Sequence, residues 1–179
     1  GYPEIFLIQT HRHSKISNGE FWHSDVSCDE KPPLGTMLQL HHLPSIGGDT
    51  LFANMYQAYE ELSGTLREFC EGLTALHESE HIYRGRYSDR GVDDSEKVYP
   101  SCSHPVVRSH PETQRKALYV NRAFTTRILE LTKEESNVVL EMLLNHCEQQ
   151  RFQARYRWEK NDVALWDNRC VQHHALWDY

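Results

Sequence analysis

The sequence has no long apolar run. None of its 179 residues belong to a stretch approaching the ~20 apolar residues of a membrane-crossing helix. No membrane span is expected, and no secretory leader is visible. Blocks of basic charge are also missing. Nineteen Lys+Arg against 26 Asp+Glu leave a formal net charge of −7, which argues against a general nucleic-acid surface. Arg84, Arg86 and Arg90 are offset by Asp89, Asp93 and Asp94, the pattern of a solvated loop. Cysteine is sparse. Five residues, an odd number with no Cys-x-x-Cys pair, exclude a disulfide framework and fit reduced thiols in the cytoplasm. Repeats and low-complexity tracts are absent. A hydrophobic share of 39% with 25% charged residues is that of an ordinary globular protein, and the length suits a single domain over 1–179. A homo-oligomer without membrane or nucleic-acid partners is expected.

Histidine, by contrast, is plentiful, at twelve residues. Two of them stand in Trp22-His23-Ser24-Asp25 and in Asn168-Arg169-Cys170-Val171-Gln172-His173. Two imidazoles and one carboxylate suit Fe(II), because they fill one triangular face of an octahedron and leave the opposite positions open. In extended chain, residues two apart project the same way, so one strand or strand end can deliver both His23 and Asp25. A third ligand has to come from another strand, and 162–169, with its apolar middle Val163–Trp166, reads as one. Of the adjacent His173 and His174 only one could face a metal. Spacing alone does not identify the site: a half-exposed histidine beside a carboxylate is the plain alternative.

Along the chain, residues 5–9 (Ile-Phe-Leu-Ile-Gln) read as a strand and 11–20 as a polar loop. Residues 36–42 read as another strand, with His41 and His42 at the surface. Asn54 is placed to cap a helix in which Ala58, Tyr59, Leu62, Leu66, Phe69, Cys70 and Leu73 form an apolar stripe, broken near Ser63-Gly64. Residues 78–103 carry no clear period. Thr132-Lys-Glu-Glu135 is a capping box, followed by Val138, Val139, Met142, Leu143 and Cys147 at helical spacing. Residues 152–158 alternate as a strand that sends Gln153, Arg155 and Arg157 to a solvent-facing row. Cys170 is read as a packing residue.

Several further motifs occur in a fixed order: Phe21–Val26, Lys31-Pro32-Pro33-Leu34-Gly35, Leu43–Leu51 with Gly47-Gly48-Asp49-Thr50, His104–Arg108, Tyr119-Val120-Asn121, Phe124–Ile128 and Trp166-Asp167-Asn168-Arg169. In these the chain resembles the taurine/dichlorophenoxyacetate dioxygenase family of Fe(II)- and 2-oxoglutarate-dependent enzymes, almost end to end. The resemblance implies a mostly β fold with flanking helices around a double-stranded β-helix (jelly-roll) core. It implies Fe(II) held by His23, Asp25 and His173, with His174 pointing away, and 2-oxoglutarate and O₂ as co-substrates. Thr50 would help hold the far carboxylate of 2-oxoglutarate; Gly47 and Gly48 permit a tight bend there, although an ordinary turn is the bland reading. Phe124, Asn18 and Tyr83 would meet a small-molecule substrate, with Phe124 equally readable as a core aromatic. Residues 78–103 would form a lid.

Taurine or a related sulfonate is the expected substrate, with release of succinate and CO₂. An alkyl sulfate, an aryloxy acid or a larger biosynthetic intermediate is the alternative. The taurine enzymes carry a substrate-contacting asparagine four residues before the first ligand, where this chain has Gly19 beside Asn18. The family's arginines beyond the second histidine ligand are missing, because the sequence runs only six residues past His173. The chain is therefore expected to be a fragment. A non-catalytic metal-binding jelly-roll module and a zinc hydrolase are the readings from other classes.

Overall fold

A computed structural model describes residues 2, 5–11, 13–14, 18–88, 91 and 93–179. Asp89 and Arg90 of the expected charged loop, and part of the 11–20 loop, lie outside the described residues.

The strands pair antiparallel throughout. Gly35–Gln39 (β1) pairs with Val163–Asp167 (β9), placing Thr36 opposite Trp166. Thr50–Asn54 (β2) is the middle strand of a second sheet, between Val171–Ala175 (β10) and Gln153–Tyr156 (β8). Thr74–Glu78 (β3) lies between Ser101–Pro105 (β4) and Thr125–Ile128 (β7). Val107–Ser109 (β5) pairs with Lys116–Leu118 (β6). The first two sheets face each other, with the rings of Phe52 and Trp166 5.3 Å apart at their centroids. Period-two alternation explains the division of β2: Leu51 and Ala53 point into the main core, Thr50 and Phe52 toward β9.

Helices close the other side of that core. Met55–Glu60 (α1) starts at Asn54, whose side chain accepts from Tyr56 N and Gln57 N. Gln57, three residues on, does not bond back to the cap; its Nε2 donates to Glu61 Oε1. The helix breaks where expected, and Ser63 caps Gly64–Glu71 (α2) through Leu66 N. Phe69 leaves the stripe for solvent, while Ala58, Leu62 and Cys70 are buried. Glu80–Tyr83 (α3) is the one helix placed within the irregular 78–103 stretch among the described residues. Lys133–Cys147 (α4) has the full capping box between Thr132 and Glu135.

Four expectations need correction. Residues 5–9 form no strand: Ile5, Phe6 and Leu7 stand exposed, and without a partner among the described residues an apolar run has no ladder to join. The buried face of α4 is Ser136, Leu140, Leu143, Leu144 and Cys147, whereas Val138 is 72% exposed. Leu143 and Cys147 of the expected stripe are buried and Val139 packs against the core, but the buried face turns toward Ser136, Leu140 and Leu144 and away from Val138 and Met142, since β7 and α1 decide which side packs. The 152–158 strand shrinks to β8, with Phe152 and Trp158 buried at its two ends and Ala154 and Tyr156 exposed. The 36–42 strand ends at Gln39, which leaves His41 and His42 exposed beyond it.

Candidate metal centre

The segment 22–25 is attached to β10 by its backbone. His23 N donates to His173 O at 3.1 Å and His173 N to His23 O at 2.8 Å, so two histidines 150 positions apart are bridge partners. Ser24 Oγ donates to Val171 O at 3.0 Å, and the Trp22 ring meets the edge of His174 at 5.4 Å. Alternation then turns His23 to the face opposite Trp22 and Ser24, and His173 opposite His174. The His23 and His173 rings lie 4.0 Å apart. The third ligand candidate thus sits on β10, a strand later than the 162–169 run expected to carry it, because a turn at 168–170 separates the two.

Asp25 begins a tight turn rather than continuing a strand. The next residue, Val26, has φ 42°, a left-handed conformation that a β-branched side chain rarely tolerates. Asp29 N closes the turn on Val26 O at 2.9 Å. Asp25 Oδ1 comes to rest 3.4 Å from His23 Nε2 and 3.7 Å from His173 Nε2. One donor atom from each of the three residues falls within 4.8 Å of the others.

The protonation states suit a cation. His23 Nδ1 donates to Phe21 O at 2.7 Å, since a carbonyl can only accept, which leaves Nε2 as the ring nitrogen turned toward Asp25 and offered to a metal. Burial, and next the neighbouring His23, hold the His173 pKa far below the ordinary imidazole value, so this ring is neutral at pH 7. For Asp25 burial alone would raise the pKa. The adjoining imidazoles of His23 and His173 and the hydroxyl of Thr36, which donates to Oδ2, outweigh that and hold the pKa below the ordinary carboxylate value, so the group is ionised. Two nitrogen donors and one anionic oxygen converge without a soft sulfur among them. That donor set fits Fe(II).

Around this point the other candidate residues are partly gathered. Phe52 stacks on His173 at 6.2 Å and Trp166 lies 4.6 Å from it; neither was singled out as a site residue from the sequence, where Trp166 reads as a strand apolar and Phe52 gives no signal. Thr50, two residues from Phe52 on the same face of β2, is buried, and its Oγ1 accepts from Trp158 Nε1 at 2.9 Å. Gly47 and Gly48 both have positive φ, and a Cβ on Gly47 would stand 2.7 Å from Asp178 O, so the bend needs glycine. Phe124 is buried with its ring 6.4 Å from His23, and Tyr83 of α3 packs against it at 6.1 Å. Burial pushes the Tyr83 hydroxyl pKa up to about 12. Asn18 is engaged elsewhere: its Oδ1 accepts from Tyr87 Oη at 3.3 Å and Arg86 NH2 at 3.4 Å. Arg155 is more than half exposed, in the row expected to face solvent, and pairs with Asp49 at 2.6 Å.

A second group, His110, Asp167 and Cys170, also brings donor atoms within 4.8 Å. Its carboxylate is already filled. Asp167 accepts from His110 Nε2 at 3.0 Å and from Arg169 N, Nε and NH2 at 2.9, 2.8 and 2.6 Å. His110 Nδ1 accepts from two backbone amides, which fixes Nε2 as the donor. This cluster clamps the turn between β9 and β10, and Cys170 packs into the main core as expected.

Comparison with known proteins extends these observations. The family model described as "Taurine catabolism dioxygenase TauD, TfdA family" matches residues 1–179. An alpha-ketoglutarate-dependent sulfonate dioxygenase of Saccharomyces cerevisiae is 40% identical over 159 residues, 88% of this chain and 38% of the relative. An alpha-ketoglutarate-dependent sulfate ester dioxygenase of Pseudomonas putida is 37% identical over 165 residues, 88% of this chain and 54% of the relative. The crystal structure of a taurine dioxygenase from Burkholderia xenovorans superposes with a TM-score of 0.75 at 36% identity, covering 88% of this chain and 50% of that one. The architecture is the jelly roll of such enzymes. The chain spans about half, or less, of the length of these relatives.

Proposed function

The chain belongs to the taurine catabolism dioxygenase TauD, TfdA family, and from that premise we propose that the protein is an Fe(II)- and 2-oxoglutarate-dependent dioxygenase acting on a small sulfonate or sulfate ester, in the cytoplasm. The convergence of His23, Asp25 and His173 carries the reading. These three residues would hold the metal, His23 and His173 as neutral imidazoles and Asp25 as the anion. Bound Fe(II) supplies O₂ activation, coupled to decarboxylation of 2-oxoglutarate to succinate and CO₂ and to hydroxylation of the substrate. The protein's own residues do the positioning. Thr50, whose oxygen already accepts from Trp158, keeps its hydroxyl hydrogen for the far carboxylate of 2-oxoglutarate. Phe52, Trp166 and Phe124 provide apolar walls that exclude water from the reacting side. Tyr83 would meet the substrate from the 78–103 stretch, which on this reading is the lid. Asn18 reaches substrate only on leaving Tyr87 and Arg86.

Within the substrate class, Gly19 favours sulfate esters or longer sulfonates over taurine. Where the taurine enzymes place a contacting asparagine, Gly19 has φ 82°, and a Cβ would stand 3.3 Å from Ala175 Cβ and 3.4 Å from His23 Cε1. The position is closely packed and offers a substrate no asparagine contact of the kind that taurine enzymes make. All five cysteines are free thiols, which supports a reducing compartment. Among the described residues no helix is long and apolar enough to cross a membrane.

Succinate formation by the full-length protein, measured against taurine, longer alkanesulfonates, alkyl sulfates and aryloxy acids, tests the proposal. Turnover dependent on Fe(II) and 2-oxoglutarate with an alkyl sulfate or sulfonate is expected. Iron-independent turnover, or none with any of these acids, would refute it.

A further inference from the structure

The two oxygens of Asp25 are used differently. Oδ1 faces the two imidazoles, while Oδ2 turns away and accepts the Thr36 hydroxyl at 2.6 Å. Thr36 Oγ1 in turn accepts from Asn168 Nδ2 at 2.8 Å. Asn168 Oδ1 accepts from Trp166 Nε1 at 3.1 Å and from the Asp25 backbone N–H at 3.4 Å. Every direction in this chain is forced. An indole N–H and an amide NH₂ can only donate, an ionised carboxylate can only accept, and threonine has one hydroxyl hydrogen. From Trp166 and Asn168 through Thr36 the side-chain donors therefore run toward the Asp25 carboxylate, while the Asp25 backbone N–H donates back to Asn168 Oδ1.

The chain is also anchored. Thr36 sits opposite Trp166 in the β1–β9 register, and Asn168 N donates to Leu34 O at 3.1 Å. Asn168 is 1% exposed, so water does not stand in for any of its bonds. The filled carboxylate of Asp167 holds the turn from which Asn168 projects.

We propose that Thr36 and Asn168 are positioning residues for Asp25: by occupying Oδ2 they leave only Oδ1 for the metal. One oxygen instead of two keeps a coordination position free for co-substrate or O₂. This inference rests on the metal-centre reading above. Partners of this kind, outside the ligand set, orient a carboxylate and set metal affinity.

Anaerobic titration of the full-length protein with Co(II), followed by its visible absorption, separates the two ideas. The unaltered protein should bind Co(II) at this site. Thr36→Val, which keeps volume and strand preference but loses the hydroxyl, should bind about tenfold to a hundredfold more weakly, with an altered spectrum. Thr36→Ser should return affinity and spectrum to those of the parent. Circular dichroism of the metal-free proteins controls for folding; if Thr36→Val fails that control, Thr36→Cys, a weak donor, carries the same test. A hydroxyl-free variant with the parent's affinity and spectrum would overturn the positioning role while leaving the metal centre standing. Absence of Co(II) binding by the unaltered protein would overturn both.

Discussion

At His173, burial does two things: it keeps the ring neutral, and it places that ring between Phe52 and Trp166 where water is scarce. Replacing His23, Asp25 or His173 by alanine should abolish succinate production by the full-length protein. Retained turnover in any one variant would remove that residue from the ligand set. Thr50→Ala should raise the 2-oxoglutarate requirement in the same assay with a smaller effect on iron affinity. The change also strands the Trp158 indole N–H, a loss of about 1–3 kcal/mol in urea unfolding. His23 and Asp25 were legible as a pair from their two-residue spacing, although it is the turn opening at Asp25, and not a continuing strand, that brings the carboxylate to the imidazole. Thr36 and Asn168 were not. Nothing in a threonine or an asparagine announces a role; only the β1–β9 register brings them to Asp25.

Helix α4 shows how an element's start can be readable while its orientation is not. The Thr132 capping box is local, made by residues three apart, and it forms as the sequence indicates. Thr132→Ala should cost about 1 kcal/mol. Which stripe faces inward depends on β7 and α1, outside the helix. Leu143→Ala, at a fully buried position, should therefore cost about 2–5 kcal/mol, whereas Val138→Ala, largely exposed, should leave stability nearly unchanged. Equal losses in thermal melts of the two variants would restore the stripe read from the sequence. The run at 5–9 failed for a related reason: strand formation needs a neighbour, and hydrophobicity is no substitute for one.

For the molecule as a whole, the buried polar network behind the metal turn sets the response to acid. His77 is fully buried, its ring 5.4 Å from that of His104, and its Nδ1 lies 2.9 Å from Ser27 Oγ in the turn that follows Asp25. Desolvation, and then the neighbouring His104, lower its pKa from 6.5 to about 3. Its folded pKa lies below the unfolded one, so below pH 6.5 the unfolded chain binds more protons. Stability is thus fully present above that pH and falls as pH drops toward 3. From this residue alone the loss at pH 5 is about 2 kcal/mol. Chemical denaturation at pH 7 and pH 5 checks it. A His77→Gln variant should lose less on acidification than the parent, and an identical dependence would exclude His77 as the cause.

Composition, the His-x-Asp spacing and the ordered motifs were enough to assign the family and the ligand candidates, because each depends on residue identity and short-range backbone geometry. Closing the site was a tertiary event. The paired backbone bonds between His23 and His173, and the β1–β9 register that aims Thr36 at one oxygen of Asp25, join segments more than a hundred residues apart. Such contacts exist only after the sheets have faced each other, since no local pattern encodes which distant strand will be the neighbour.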